Sequence, residues 1–184
     1  IYRISMQRVS LGEVVSNSEI FETVTRDIDL IALYMYDDTQ LKEYIQKNED
    51  NKLVVALAYL DNYEEALESV EDVRRSLLIA LIDRKITKYF SNFDGLVKKL
   101  EKDKYFLIMR QSSLEALKEQ RFHILDEVKT VNIGNEMAIT LSIGIGLNAA
   151  NYIQDYEYSR IAIEMALGRG GDQVVIKNGN NITY

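Results

Sequence analysis

Eight successive apolar residues, Leu53–Leu60 (LVVALAYL), restrict the possible fold more than any other segment of the chain. Alternate residues of a strand point to opposite faces of its sheet, so a continuous apolar run is typical of a strand that is covered on both faces. Asp61 and Asn62 follow the run, and both residue types favour turns. The segment therefore predicts a buried strand that ends in a polar turn.

The composition excludes several classes of function. The chain has 184 residues with a formal charge of −7, and a nucleic-acid partner is not expected because phosphate binding needs a basic surface. The sequence contains no cysteine, which excludes disulfides, zinc–thiolate sites and thiol catalysis. The sequence contains no run of about 18 apolar residues, so it does not predict a membrane span. The chain opens without Met inside a predicted strand, so we expect it to be a piece of a longer protein.

The segments after residue 52 follow the order β, α, hairpin, α, β, α, β, which is typical of a split βαβ palm. The predicted fold class is therefore α+β, a ferredoxin-like palm in which helices cover one face of a mainly antiparallel sheet. After the first strand, the sequence predicts a helix over Ser69–Tyr89 and a hairpin over Gly95–Arg110 that turns near Glu101–Asp103. The next predicted helix runs through Leu114 and Val128 and opens with a capping box at Ser112 and Glu115. The last predicted elements are an alternating strand over Met137–Ile145 with small residues on its second face, a helix over Asp155–Leu167 and a strand over Gln173–Lys177.

Residues 1–36 are rich in strand-forming residues, in the segments IYRISMQRV, ETVT and Asp29–Tyr36. They supply too few strands for a stable sheet, so we interpret them as the end of a truncated domain. Asp37–Asp50 is a predicted helix with one narrow apolar face, formed by Leu41, Tyr44, Ile45 and Asn48. That face is suited to pairing with a second copy in a dimer. Packing on its own domain is the alternative.

Four segments, taken in order, resemble the motifs of the GGDEF domain, the palm of diguanylate cyclases. The family motifs are Asp-x-Asp-x-Phe-Lys, Gly-Gly-Asp-Glu-Phe, Thr-x-Ser-x-Gly and a Gly-Arg turn after the last helix. The corresponding segments here are Tyr59–Glu64, Glu101–Tyr105, Thr140–Gly144 and Leu167–Asp172. The resemblance extends over Lys52–Lys177, about two thirds of the chain.

The departures from those motifs remove the residues that cyclase chemistry needs. The first metal-binding aspartate of the family corresponds to Tyr59, its guanine-reading asparagine falls near Leu67, and its acidic glutamate corresponds to Lys104. The two glycines of the hairpin are Glu101 and Lys102. A lysine ammonium ~4 Å from a divalent ion is repelled by about 8 kcal/mol at an effective dielectric constant near 20. The resemblance therefore predicts a degenerate domain without diguanylate cyclase activity.

The pattern of degeneracy is similar to that of the GdpP/YybT-type cyclic-di-AMP phosphodiesterases, on the segments Leu60–Glu65, Asp103–Phe106 and Ala166–Lys177. That family combines two membrane helices, a PAS sensor, a degenerate GGDEF domain and a DHH/DHHA1 phosphodiesterase domain. The resemblance implies the end of a PAS domain at 1–36, a linker helix at 37–51 and a degenerate GGDEF domain at 52–184. It also implies a homodimer at the cytoplasmic face of the membrane. The Asp-His-His triplet does not occur in this sequence, and no haem ligand can be assigned within residues 1–36.

The same resemblance gives the candidate site. Its nucleotide-binding residues are Asp61, Asn62, Lys102, Asp103 and Lys104, with Asp61 and Asp103 as ligands of a Mg²⁺ ion that accompanies ATP. The implied function is signal relay and dimerisation, with weak ATP binding or hydrolysis. The alternative is a sensor that binds a nucleotide without turnover.

Structural roles stay open for each of these residues. Asp61 can cap a turn, Asp103 can lie on a solvated hairpin tip, and Lys104 can be merely solvated. Gly168–Gly171 can bind an anion through successive amides or simply end a helix. His123 is expected to pack or to be exposed rather than to take part in catalysis.

Overall fold

The computed structural model describes residues 1–10 and 29–184, and the predicted strand segment Glu22–Thr25 lies outside them. The chain divides into two compact units, Ile1–Asn48 and Glu49–Tyr184. No helix within the described ranges is long and apolar enough to cross a membrane.

The first unit contains an antiparallel pair of strands, β1 (Tyr2–Ser10) and β2 (Asp29–Asp37), with Tyr2 opposite Asp37. Helix α1 (Thr39–Asn51) begins in this unit, where the Asp37 carboxylate accepts a hydrogen bond of 3.0 Å from the Thr39 amide. The residues of its apolar face are exposed, Leu41 by 56%, Tyr44 by 71% and Ile45 by 53%. The helix is confirmed, and none of its residues is buried.

The second unit contains a six-stranded sheet with the order β4-β5-β3-β6-β7-β8. All neighbouring strands are antiparallel except the β6–β7 pair, which is parallel. The strands are β3 (Leu53–Leu60), β4 (Leu96–Lys99), β5 (Lys104–Arg110), β6 (Leu141–Leu147), β7 (Val174–Asn178) and β8 (Asn181–Thr183). The apolar run that begins at Leu53 is the third strand from one edge, and the sequence analysis missed β8.

Helices lie on both faces of this sheet, so the expectation that they cover one face is wrong. They are α2 (Tyr63–Glu68), α3 (Asp72–Ser91), α4 (Gln111–Glu119), α5 (Ile124–Lys129) and α6 (Tyr152–Gly168). The buried side chains of α3, α4 and α5 form the main core with one face of β3 and β6. Helix α6 lies on the other face, where a β-carbon on Gly146 would be 1.9 Å from the Asp155 carbonyl oxygen. The predicted close approach of a helix to the small face of this strand is therefore confirmed.

Three predicted boundaries are wrong for identifiable reasons. The long helix begins at Asp72 because Ser69 ends α2, where its hydroxyl donates to the Ala66 carbonyl oxygen. The capping box is absent, since Arg110 precedes the first turn of α4 and Ser112 lies inside it. Two separate helices, α4 and α5, replace the single predicted one because the backbone takes positive φ angles at residues 121 and 122.

The alternating strand begins at Leu141 and not at Met137, whose side chain is 51% exposed. The side chain of Asn62 explains this late start. Its amide nitrogen donates to the Ala138 carbonyl oxygen over 2.8 Å, and its oxygen accepts from the Thr140 amide over 3.0 Å. These bonds satisfy backbone groups that a longer strand would have paired within the sheet.

Candidate functional site: a cleft at the end of β3

A cleft of about 570 Å³ lies where β3 ends and the β4–β5 hairpin turns. A backbone hydrogen bond of 2.9 Å, from the Leu60 amide to the Asp103 carbonyl oxygen, joins these two places. The residues that line the cleft are Leu60, Asp61, Tyr63, Glu64, Glu65, Glu101, Lys102 and Asp103. Two segments about 40 residues apart, each singled out by the sequence analysis, thus meet at one surface.

The structure brings together three of the five predicted site residues. Asp61, Lys102 and Asp103 line the cleft, whereas Asn62 and Lys104 are not among its lining residues. Both ends of the Asn62 side-chain amide are used by backbone groups of the 138–140 segment. Lys104 lies beside the cleft, where its side chain contacts Glu101 and Tyr59.

The Lys104 ammonium lies between a carboxylate and an aromatic ring. It donates a hydrogen bond of 2.7 Å to Glu101 and lies 5.4 Å from the centroid of the Tyr59 ring. The bond to Glu101 raises the pKa of Lys104, so the lysine stays charged at neutral pH. Tyr59 and Lys104 are direct cross-strand neighbours in the β3–β5 pairing. A cation–π pair thus occupies the two positions at which the family motifs have an aspartate and a glutamate.

The Asp61 carboxylate holds the glycine-rich turn that follows α6. Its Oδ2 atom accepts a hydrogen bond of 2.9 Å from the Asp172 amide. Gly171 lies directly against it, with a φ of +76°, and a β-carbon there would be 2.7 Å from the Asp61 Cγ atom. Asp172 in turn makes an ion pair of 2.6 Å with Lys129 of α5. The Asp61 side chain thus joins the end of β3 to a turn that lies more than 100 residues later in the sequence.

Asp172 and Lys129 are partners of the site that no sequence motif indicated. Asp172 belongs to the Leu167–Asp172 motif, which therefore marked this turn as a region of interest. Nothing in the sequence, however, indicates that Asp172 contacts Asp61. The amides of Gly170 and Gly171 donate to the Leu167 and Ala166 carbonyl oxygens. These bonds support the helix-stop interpretation of Gly168–Gly171, because the same amides would have to bind the anion in the alternative.

A second network missed by the sequence analysis fixes the base of the hairpin. The buried Tyr105 hydroxyl donates to Asp83 of α3, and the Lys99 ammonium lies 2.8 Å from the same carboxylate. Burial, followed by the bond to Asp83, raises the pKa of Tyr105 well above its usual value. The network anchors the hairpin to α3. The side chain of His123 is exposed at the start of α5, and its Nδ1 atom lies 3.7 Å from the Asp126 carboxylate.

The cleft is rich in carboxylates. Five acidic residues and one lysine line it, so a bare triphosphate would be repelled. The described residues contain no group of three His, Cys, Asp or Glu side chains placed to hold a metal ion. Mg²⁺ needs fewer, because it is commonly held by one or two carboxylates together with the phosphates of its nucleotide. The Oδ1 atom of Asp61 is buried and has no hydrogen-bond partner among the described residues, and the Asp61 and Asp103 side chains line the same cleft.

Comparison with known protein families identifies the family of the second unit. Residues 58–183 match the model of the cyclic-di-AMP phosphodiesterase GdpP-like GGDEF domain. The chain belongs to this family. The GdpP-like resemblance that the sequence motifs implied is thereby confirmed.

Curated relatives of this GdpP-like chain carry the same family name. A cyclic-di-AMP phosphodiesterase, PdeA, from Listeria monocytogenes is 35% identical over 157 residues, which cover 85% of this chain and 24% of the relative. A cyclic-di-AMP phosphodiesterase, GdpP, from Geobacillus thermodenitrificans is 30% identical over 171 residues, 90% of this chain and 26% of the relative. The chain spans about a quarter of the length of these relatives.

Solved structures confirm the fold of the GdpP-like unit. The GGDEF domain of DgcB from Caulobacter crescentus, in complex with c-di-GMP, superposes with a TM-score of 0.58 at 13% identity and covers 76% of this chain and 84% of that one. The active GGEEF domain of a diguanylate cyclase from Vibrio cholerae gives a TM-score of 0.57 at 12% identity, covering 73% and 89%. The α+β fold class is therefore confirmed.

Proposed function

We propose that this chain is the regulatory part of a cyclic-di-AMP phosphodiesterase, a degenerate GGDEF domain that relays a signal and makes no cyclic dinucleotide. The single observation that carries the proposal is the position of the Lys104 ammonium, between Glu101 and the Tyr59 ring. The cyclase motifs have carboxylates at positions 59 and 104, and a two-metal site does not form normally with an ammonium group there and one aspartate replaced.

The partner in this proposal is a DHH/DHHA1 phosphodiesterase domain of the same parent chain. Two curated relatives, each about four times as long as the matching region, bear the name cyclic-di-AMP phosphodiesterase. The first unit then supplies the end of a PAS sensor, and α1 couples it to the GGDEF domain as a homodimer contact. We place the parent at the cytoplasmic face of the membrane; a phytoplasma relative of 29% identity is named as a membrane protein fused to a ribosomal subunit.

The absence of synthesis is tested directly. The purified chain is incubated with GTP and Mg²⁺, and the nucleotides are separated by chromatography. We expect no cyclic di-GMP, with the active GGEEF domain of the diguanylate cyclase from Vibrio cholerae as the positive control. Formation of cyclic di-GMP by this chain would contradict the proposal.

The relay is tested in the parent protein. Leu41→Asp combined with Ile45→Asp places two negative charges on the apolar face of α1, and Gln40→Asp combined with Gln46→Asp places two outside that face. We expect the first pair to change the rate of cyclic-di-AMP hydrolysis and the second to leave it within about twofold. Equal rates for both pairs would show that the α1 face does not transmit a signal.

A second candidate function is nucleotide binding in the cleft, which the adjacent Asp61 and Asp103 favour. The excess of carboxylates means that a triphosphate enters together with Mg²⁺. We expect calorimetry to show heat with ATP in the presence of Mg²⁺ and none in EDTA. Asp103→Asn is expected to abolish that heat, and Asp126→Asn, on the exposed surface of α5, to leave it unchanged. Turnover of the bound ATP would favour a weak ATPase, and its absence would favour a sensor.

A further inference from the structure

A second cleft, of about 460 Å³, lies on the helical side of the second unit, between α3 and α5. Its lining residues are Leu81, Arg84, Lys85, Lys88, Tyr89, Asn92 and Glu127, and none of them lines the cleft at the end of β3. The helical spacing of the α3 residues explains the arrangement, since positions 81, 85, 88, 89 and 92 follow one side of a helix. The two clefts are therefore separate surfaces of the same unit.

The charge of the second cleft is opposite to that of the protein. Three of its seven lining residues are cationic and one is anionic, in a chain of net charge −7. Lys85 lies 3.6 Å from Glu127, so these two charges largely offset each other. Within residues 1–10 and 29–184, the structure gives no ion pair or hydrogen bond to the side chains of Arg84 and Lys88. Two uncompensated cations one helical turn apart thus face this cleft.

The Tyr89 hydroxyl is an independent sign of a missing acceptor. Tyr89 is 7% exposed, and its buried hydroxyl has no hydrogen-bond partner among the residues described. The backbone amide of Ile124 faces the hydroxyl oxygen, and an amide donor can satisfy only that oxygen and not the hydroxyl proton. Burial raises the pKa of this hydroxyl, so it remains a proton donor at neutral pH. Buried donors in folded proteins are nearly always paired with an acceptor.

We propose that this cleft is a binding site for a small anion with two or more phosphoryl groups, held by Arg84 and Lys88 with help from Tyr89 and Asn92. The guanidinium of Arg84 presents two parallel donors to one phosphoryl group, and the Lys88 ammonium serves a second. The volume is that of a small-molecule pocket. An anionic membrane is a poorer occupant, because such surfaces bind clusters of four or more cations and the rest of this chain is acidic.

The test is calorimetric titration of the chain with inorganic pyrophosphate in EDTA, which removes any Mg²⁺ that the first cleft would require. Arg84→Gln combined with Lys88→Gln is expected to weaken binding about tenfold or more, since each lost charged hydrogen bond costs over 1.4 kcal/mol. Lys98→Gln combined with Arg110→Gln removes the same charge from exposed positions outside the cleft and is expected to change affinity less than about twofold. Tyr89→Phe is expected to weaken binding while leaving the melting temperature unchanged.

The outcomes that overturn the proposal are distinct from those that overturn nucleotide binding at β3. No heat with pyrophosphate at millimolar concentration, or an equal loss in both double variants, would refute the site. Asp103→Asn is expected to bind pyrophosphate normally. A second titration uses ADP in EDTA. If ADP binds more tightly than pyrophosphate, and if this binding is lost in the Arg84 and Lys88 double variant, a nucleotide is supported as the natural source of the phosphoryl groups. Equal affinity supports an inorganic one.

Discussion

The Asp61 carboxylate accepts a hydrogen bond of 2.9 Å from the Asp172 amide, across 111 residues of sequence. The bond fixes the glycine-rich turn against the end of β3, beside the cleft that Asp61 and Asp103 share. The carboxylate thus supports the turn with its Oδ2 atom, while its buried Oδ1 atom has no hydrogen-bond partner within residues 1–10 and 29–184. Substitutions of Asp61 separate its support of the turn from its proposed role in the cleft.

Asp61→Ala is expected to lower the free energy of unfolding by about 1–3 kcal/mol, because the Asp172 amide loses its acceptor. Asp61→Asn keeps an oxygen acceptor at the same place and is expected to lose less than half as much. Urea unfolding of the three proteins measures this order. If Asp61 also serves Mg²⁺, both variants lose the ATP heat that depends on Mg²⁺. Equal stability of the alanine variant and the original chain would contradict the structural role.

Gly171→Ala is expected to destabilise the protein by about 2 kcal/mol or more. The substitution forces a φ of +76° on alanine and places a β-carbon 2.7 Å from the Asp61 Cγ atom. Gly168→Ala is the matched control at the end of α6, where a β-carbon meets nothing within 4 Å. This control is expected to be neutral or stabilising by up to about 1 kcal/mol. Thermal unfolding of both variants measures this difference in stability. A similar loss of stability in the Gly168 and Gly171 variants would contradict the prediction.

Tyr105→Phe is expected to alter how stability depends on pH. The raised pKa of Tyr105 means that its contribution is complete below the ordinary value of 10.0 and is lost as the pH rises above that value. The free energy of unfolding of the original chain should therefore fall more steeply above pH 10 than that of Tyr105→Phe. Near pH 7 the variant should be less stable by about 1 kcal/mol, the usual contribution of one hydrogen bond. Denaturant titrations between pH 7 and pH 11 measure both effects, and parallel curves would contradict the assignment to Tyr105.

Restoring carboxylates beside the cleft is expected to create a cation site. Tyr59→Asp combined with Lys104→Glu removes the ammonium and places two acids on adjacent strands, next to Asp61 and Asp103. We expect this variant to bind Mn²⁺ measurably by calorimetry, whereas Lys98→Glu, on the exposed strand β4, should not. Failure of the double variant to bind would mean that further groups of the cyclase site have been lost.

The apolar face of α1 is expected to form a dimer contact. Leu41 and Ile45 are both more than half exposed in the single chain. Light scattering should therefore report a dimer for the original chain and a monomer for Leu41→Asp combined with Ile45→Asp. A monomer for the original chain at high concentration would contradict the prediction.

The sequence by itself determined the strands and helices that are marked by strong local patterns. The apolar run at Leu53–Leu60 became a buried strand, the hairpin turned at its charged tip, and the small face of β6 received a helix. The motifs also identified the family, since their order and spacing survive although the acidic residues do not. These features depend on residues that are close together in the chain.

Only the tertiary structure decided which distant groups meet. The pairing of Asp61 with Asp172, the capture of Asn62 by residues 138–140 and the contact of Tyr105 with Asp83 each join separate elements. Such contacts override local preference, since the bonds of Asn62 shortened a strand whose alternation was otherwise regular. The physical reason is that buried polar groups must find partners, and in this fold those partners lie far away in the sequence.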